Sequence, residues 1–196
     1  MNHPSELIDE LVKTQLKPAL KVLGFKSKSS TFFRNNGNLV EIISPQKSRW
    51  NDANESKFTI NLGVYWPNVH EILGGLISSL PPKEYDCTIR QRLGFLFDDG
   101  KDYWWSVSPN SDIEQIGADV VEKVRHYGLP WLVRATVLDE AIKIAQPREA
   151  VVLHVLKGEH AQAAALIQEQ LAKNKHARAL FRQLATKLDL KISAEI

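Results

Sequence analysis

The spacing of apolar residues changes twice along the chain, from helical to alternating and back to helical. Leucines at helical spacing begin near the N-terminus, where Pro18 predicts a kink or a restart because it has no N–H to bond Thr14. Gly24 is typical of the end of that helix. From Thr31 the apolar positions alternate, which is typical of β-strands, and from Trp131 the pattern is helical almost to the last residue.

One hairpin and one long strand are predicted in the first half of the alternating region. Residues 35–38 form a turn signal between strands at 31–34 and 39–44. The polar residues 50–57 predict a mobile loop before the long strand. That strand is predicted to be half-buried, because its apolar residues alternate with polar or small ones. Its apolar positions are Phe58, Ile60, Leu62 and Val64.

A second predicted hairpin determines where three polar and aromatic candidates point. Gly100 suits a three-residue turn, and that turn fixes the register of the two strands. In this register the inner face is formed by Leu93, Phe95, Tyr103 and Trp105. Arg90, Arg92 and Trp104 are then directed to the opposite face, with Trp104 across from Gly94.

The helices that follow are predicted from caps and from breaks in the pattern. Residues 111–114 form a capping box, Gly128 is typical of a helix stop, and Pro130 is typical of a new start. Three later breaks predict four further helices, at residues 131–145, 148–157, 160–173 and 175–188.

Together these elements predict an α+β fold, an antiparallel β-sheet of about five strands with flanking helices, followed by an all-helical C-terminal extension. The pattern becomes purely helical near Pro147. We therefore predict an α+β domain at residues 1–145 and a helical extension at residues 146–196.

Composition narrows the class of protein and its expected location. The 196 residues carry a net charge of +2 and a single cysteine, which excludes collagen, a disordered tail and a disulfide scaffold. The N-terminus lacks the basic start and apolar run of a secretory signal, and the lone Cys87 fits a reducing compartment. No apolar stretch approaches the ~20 residues needed to cross a bilayer, so we expect a cytoplasmic protein without a membrane partner.

Several blocks of the chain, in order and spacing, resemble a widespread bacterial family known as domain of unknown function 4304. The blocks are LGFK at 23–26, TFFR at 31–34, QKSRW at 46–50, FTINLGVY at 58–65, EYDCTIR at 84–90, WW at 104–105 and LPWL at 129–132. The resemblance covers about residues 7–135. It implies one α+β domain with antiparallel strands and flanking helices, and it implies no activity.

The chain contains none of the common catalytic or metal-binding motifs. It has no nucleophile elbow, no phosphate-binding glycine loop, no His-Glu-x-x-His and no Cys-x-x-Cys, and its six histidines lack close ligand spacing. Cys87, next to Asp86, could serve as a nucleophile, but no histidine lies near it in sequence, and we favour a buried structural thiol. We therefore expect no cofactor and no metal, and lean against an enzyme.

Two groups of residues are candidates for binding. In the first, cationic side chains beside Trp50 suit a phosphate backbone and stacked bases, but we favour the alternative of a solvated strand end with Trp50 capping the core. In the second, the face carrying Arg92 and Trp104 is either an accessible surface or a face covered by a helix. The candidate binding residues are Arg34, Gln46, Ser48, Trp50, Asn61, Arg90, Arg92 and Trp104.

Three functions remain open at this point. The leading hypothesis is a non-catalytic cytoplasmic protein that binds another protein, one form of which is an immunity-type or accessory protein. The first alternative is nucleic-acid binding through the N-terminal lysines together with Lys47, Arg49 and Trp50. The second alternative is a small enzyme with an unrecognised polar site, formed by Arg34, Gln46, Asn61 and Arg90.

Overall fold

A computed structural model describes residues 3–75 and 81–192 of the chain. The described residues form an antiparallel sheet with helices and a helical C-terminal region, which confirms the predicted α+β class. The strands are β1 (Lys26–Lys28), β2 (Thr31–Asn36), β3 (Leu39–Lys47), β4 (Ser56–Tyr65), β5 (Ile89–Arg92) and β6 (Trp105–Val107). Strands β1 to β5 lie side by side in chain order, and β6 pairs with the start of β4 on the edge shared with β5.

Helices fill the rest of the described chain. They are α1 (Pro4–Leu11), α2 (Lys17–Val22), α3 (Pro67–Ile72), α4 (Ile113–Lys123), α5 (Leu129–Thr136), α6 (Leu138–Ile144), α7 (Pro147–Leu156), α8 (His160–Lys173) and α9 (Arg178–Lys187). Short 3-10 turns occur at Glu84–Asp86, Leu93–Leu96 and Lys175–Ala177. Two π-helical turns, Val12–Leu16 and Val124–Gly128, join α1 to α2 and α4 to α5.

Both π-helical turns end two residues before a proline. Pro18 and Pro130 lack an N–H and their rings crowd the carbonyl four residues earlier, and a wider helical turn removes that crowding. The predicted restart at Pro18 is confirmed in this form. The predicted stop at Gly128 is wrong, because the helix continues through Gly128, which packs against Leu62 and Leu93.

The first hairpin is confirmed and the second is wrong. In the first, Asn36 pairs with Leu39 and Gly37 has a φ of +59°, as the first central position of a type II′ turn requires. In place of the second hairpin, the chain forms the 3-10 turn Leu93–Leu96, and β6 pairs with β4 rather than β5. The missing side chain of Gly94 permits this path, because a Cβ atom there would lie 2.4 Å from the Tyr103 backbone nitrogen.

Two helix boundaries also differ from the prediction. The cap of α4 is Asp112 rather than the preceding residue, and its carboxylate accepts hydrogen bonds from the N–H groups of Glu114 and Gln115. The predicted helix 131–145 is divided at Val137, whose backbone is extended.

Strand β4 is buried on both faces, so the prediction of a half-buried strand is wrong. Its inner face carries the apolar residues of the main core: Phe58, Ile60, Leu62 and Val64. Its other face, which we call the outer face, is also buried because the chain around residues 84–105 packs over it. The polar groups there have partners: the Thr59 hydroxyl donates to the Tyr103 carbonyl at 3.0 Å, and the Asn61 amide donates to Gln46 at 2.7 Å.

Gly63 permits the closest approach on the outer face. A Cβ atom at Gly63 would lie 2.5 Å from the Cys87 sulfur and 2.8 Å from the Cys87 Cβ. Cys87 directly follows the 3-10 turn Glu84–Asp86, and it forms a small apolar cluster with Ile42 and Tyr65. The missing side chain of Gly63 therefore allows this turn to lie directly on the sheet.

We predict that Gly63→Ala lowers the free energy of unfolding by about 1–3 kcal/mol, because the added methyl group overlaps Cys87. Gly128→Ala is the matched control, since its Cβ would be no closer than 3.4 Å to any neighbour in a helical conformation. The control should leave stability unchanged or raise it by about 0.5–1 kcal/mol. Chemical denaturation of both variants measures the difference, and equal stability would contradict the proposed contact.

The division at residue 145 stays a prediction, and truncation tests it. Helices α1 and α5 contact β4, whereas α7, α8 and α9 contact mainly one another, α6 and α3. We therefore expect that a chain ending at Ala145 keeps a cooperative thermal transition, with a lower midpoint and less helix by circular dichroism. An aggregated or non-cooperative product would show that the helical region is needed to complete the core.

Candidate functional site

A chain of polar contacts crosses the outer face from β3 to β5. The register places Asn61 of β4 beside Arg92 of β5, and Gln46 of β3 lies on the same face. The Asn61 side chain donates to Gln46 at 2.7 Å and accepts from Arg92 Nε at 3.5 Å. The buried amide of Asn61 is therefore satisfied on both sides, and it links the sheet to the guanidinium of Arg92.

The loop before β6 holds Arg92 from the other side. The Asp102 carboxylate forms an ion pair with Arg92 and accepts a hydrogen bond from the Trp104 indole N–H at 3.0 Å. The Arg92 guanidinium lies 5.0 Å from the centre of the Trp104 ring, within cation–π distance. We call the set formed by Gln46, Asn61, Arg92, Asp102 and Trp104 the Arg92–Trp104 surface.

Adjacent tryptophans have opposite roles because successive strand residues point to opposite faces. Trp105, the first residue of β6, is 4% exposed, stacks on Phe58 at 5.5 Å and donates to Asp119 at 2.7 Å. Trp104 is half-buried and lies with Arg92 on the outer face. The structure thus brings Arg92 and Trp104 together, although the register from which they were paired is wrong.

Arg90 lies next to this surface and is paired with an acid. Its guanidinium donates to both oxygens of Glu84, at 2.7 and 3.1 Å, and this contact raises the pKa of Arg90 above its usual value. Arg90, Arg92 and the 46%-exposed Phe95 border one shallow cavity of about 250 Å³. A large apolar side chain therefore lies beside two neutralised arginines.

Arg34 is not part of this surface, because it lies on the inner face of the sheet. It pairs with the buried Glu41 at 2.6 Å, donates to the Leu23 carbonyl at 2.8 Å and lies 4.5 Å from the Phe25 ring centre. These contacts join the first helical region to the sheet. Arg34 therefore has a structural role, and it does not join Gln46 in a common site.

Ser48 and Trp50 lie in the loop after β3, away from the polar chain. The Ser48 N–H donates to the Lys57 carbonyl at 2.8 Å, and the Ser48 hydroxyl accepts from the Trp50 N–H at 3.1 Å. Trp50 is 79% exposed, so the expectation that it caps the core is wrong. The Arg49 guanidinium lies 4.9 Å from its ring centre, which makes a second, fully solvated Arg–Trp pair.

Little unpaired positive charge surrounds that loop. Lys47 binds Asp9 at 2.7 Å, and Lys57 binds Glu55 at 3.2 Å. Arg49 remains as the cation of the loop without an acidic partner among the described residues. A nucleic-acid backbone requires several unpaired cations on one face, which this arrangement does not supply.

Two residues of the site were missed by the sequence analysis, Glu84 and Asp102. Each neutralises one arginine of the outer face. Asp102 stands two positions before Trp104 in the loop, and only a correct path for residues 93–104 would have identified it. Glu84 acts from a turn that folds back over β4, which no local pattern indicates.

Cys87 lies on the same outer face, against Gly63, and its environment does not favour a reactive thiolate. It is buried, and burial raises the pKa of its thiol far above the usual range. Within residues 3–75 and 81–192, no group of three or more His, Cys, Asp or Glu is arranged to hold a metal ion. In the same ranges, every helix falls short of the length and apolar character needed to cross a bilayer.

Comparison with known proteins gives one match. The model of a family described as a domain of unknown function, DUF4304, matches residues 16–134. That range contains all six described strands and all of the Arg92–Trp104 surface, and it begins after the first helix, α1. Neither a search of curated proteins nor a search of solved structures finds a match.

The two adjacent tryptophans provide a direct test of the described faces. We predict that Trp105→Ala lowers the free energy of unfolding by about 3–5 kcal/mol, because it removes a buried ring. Trp104→Ala should cost about 1 kcal/mol, the size of a partly solvated cation–π contact. Thermal melts of the two variants give the comparison, and greater damage from Trp104→Ala would contradict the assignment of the faces.

Proposed function

The chain belongs to the family DUF4304, whose description names no activity, so we propose a function from the geometry. We propose that the protein is a non-catalytic binding protein, and that it recognises another protein through the Arg92–Trp104 surface. Arginine and tryptophan are the side chains most enriched at the energetic centres of protein interfaces. Here both lie on one rigid sheet face, next to the exposed ring of Phe95.

The observation that carries this proposal is the restraint on Arg92. Its guanidinium contacts Asn61, Asp102 and the Trp104 ring, yet 27% of the surface of its side chain is exposed to solvent. A side chain already held in one conformation loses little entropy on binding. Atoms without a partner in the described chain, such as Arg92 Nη2, remain to bond a partner's backbone or side chains.

The electrostatics favour a protein over a nucleic acid as the partner. Arg90 and Arg92 each have a carboxylate partner, so this face carries little net charge. Binding to a phosphate backbone depends on releasing counterions with unpaired cations. Binding to a protein depends instead on buried aromatic and arginine contacts with satisfied polar groups. The reduced, buried Cys87 and the family resemblance support a bacterial cytoplasmic location for this role.

Trp104→Ala and Trp50→Ala form a matched pair for testing the proposal. Tagged wild-type protein and both variants are expressed in the native host, and proteins that co-purify are identified after nuclease treatment. We expect a partner that wild type and Trp50→Ala retain and that Trp104→Ala loses, with a weakening of about 2 kcal/mol or more in a direct binding titration.

The opposite pattern would place binding elsewhere. Since Trp50 also carries a stacked arginine, loss of the partner in Trp50→Ala with retention in Trp104→Ala would move the site to the loop. Sensitivity of the complex to nuclease, together with a steep dependence on salt, would favour the nucleic-acid alternative. Either result contradicts the proposal.

A further inference from the structure

Three cavities lie in a row along residues 84–92. The shallow cavity beside Arg92 and Phe95 adjoins a second cavity of about 350 Å³, and both are bordered by Arg90. The second adjoins a third of about 360 Å³, and these two share Tyr85 and Glu149. We call the three together the β5 cleft. Because neighbouring cavities share lining residues, they adjoin one another along β5 and the turn before it.

One wall of the cleft is the outermost strand of the sheet. β5 pairs with β4 on one side, and no described strand lies on its other side. Ile144, Gln146 and Glu149, near the start of α7, face residues 88–90 across the second cavity. An unpaired strand edge presents backbone donors and acceptors at the spacing of an extended peptide.

Three charged groups that line the cleft form no ion pair among the described residues: Asp86, Arg148 and Glu149. Asp86 accepts a hydrogen bond from the Lys83 N–H at 2.8 Å, whereas Glu149 borders both the second and the third cavity. Glu149 is half-buried, and it forms no ion pair with any described residue. Burial raises the pKa of its carboxyl, and its own backbone N–H and the charge of Arg148 oppose this only in part. Arg90 is engaged by Glu84, and Arg148 donates to the Leu73 carbonyl at 3.1 Å. A cation from outside the chain would therefore be stabilised at Glu149.

We propose that the β5 cleft binds an extended segment of a partner protein and that Glu149 pairs with a lysine or arginine side chain of that segment. This inference rests on the proposed function, because it makes the segment part of the partner that contacts the Arg92–Trp104 surface. The two regions are continuous through Arg90, which borders both the first and the second cavity.

The shape of the cleft favours a peptide over a small molecule. A small-molecule site encloses most of its ligand, whereas these three cavities follow one another along an open strand edge. Exposed aromatic rings stand along it, with Tyr85 at 63% exposure and Phe95 at 46%. Separate pockets along a strand edge are the arrangement that reads alternate side chains of an added extended segment.

Selection of random linear nonapeptides displayed on phage tests this inference with the full-length chain. The bait proteins are wild type, Glu149→Gln, Glu149→Lys and the control Glu122→Gln, which removes an exposed acid of α4 outside the cleft. We expect wild type and Glu122→Gln to enrich peptides with lysine or arginine at one fixed position. Glu149→Gln should weaken a synthetic copy of that peptide about tenfold, the effect of losing one partly buried ion pair.

Charge reversal supplies the sharpest outcome. Glu149→Lys should enrich aspartate or glutamate at the same position, because the sign of the required side chain reverses with the sign of residue 149. The net charge of the protein, +2, cannot produce the basic preference of wild type, since it would favour acidic peptides. A basic preference that survives Glu149→Gln, or no shared position at all, would overturn the inference.

The two proposals fail in distinguishable ways. A partner that depends on Trp104 and ignores Glu149→Gln keeps the proposed function and overturns the cleft inference. Peptides that depend on Glu149, in the absence of any partner that depends on Trp104, retain the cleft and overturn the proposed function. Circular dichroism and a thermal melt of every variant compared establish that it is folded, and Glu149→Gln is a substitution of nearly equal size.

Discussion

The burial of β4 on both faces is the constraint on which the rest of the structure depends. An antiparallel strand commonly has one face in water, but here the chain on either side of β5 folds back over the outer face. The polar residues of that face must then find partners, since an unsatisfied buried group costs about 1–3 kcal/mol. Thr59 bonds the backbone of the covering chain, and Gly63 makes room for Cys87. The candidate site lies at the boundary between the part of the outer face that this chain covers and the part that is exposed to solvent.

The side chains of the site restrain one another across that boundary. Asn61 is buried, but its neighbour Arg92 reaches the solvent, so the bond between them joins the interior to the surface. Asp102 fixes the same guanidinium from the opposite side and also orients the Trp104 ring. Each polar group thus restrains the next, which reduces the entropy that a binding partner would have to remove. The stability of the fold and the order of the surface have a common cause.

The sequence predicts those features that depend on neighbouring residues. The first hairpin is set by Gly37, which adopts the backbone conformation that its turn requires, so the prediction is confirmed. The second hairpin has an equally plausible turn at Gly100, but the chain instead forms a 3-10 turn at Leu93–Leu96, and β6 pairs with β4. Arg34 and Arg92 both lie in strands of the sheet, yet Arg34 faces Glu41 on the inner side, whereas Arg92 lies on the outer face. Such outcomes depend on contacts between distant segments, which periodicity does not record.

The two proposed regions differ in their relation to the family. Every hydrogen bond of the Arg92–Trp104 surface is made between residues 46 and 104, inside the matched range of 16–134. One wall of the β5 cleft comes from α7, which follows that range. Removing α7 would open the cleft without breaking a bond of the surface. The hydrogen-bonded residues of the surface therefore all belong to the range matched by the family, whereas the carboxylate of Glu149, on which the proposed cleft depends, comes from the helix that follows that range.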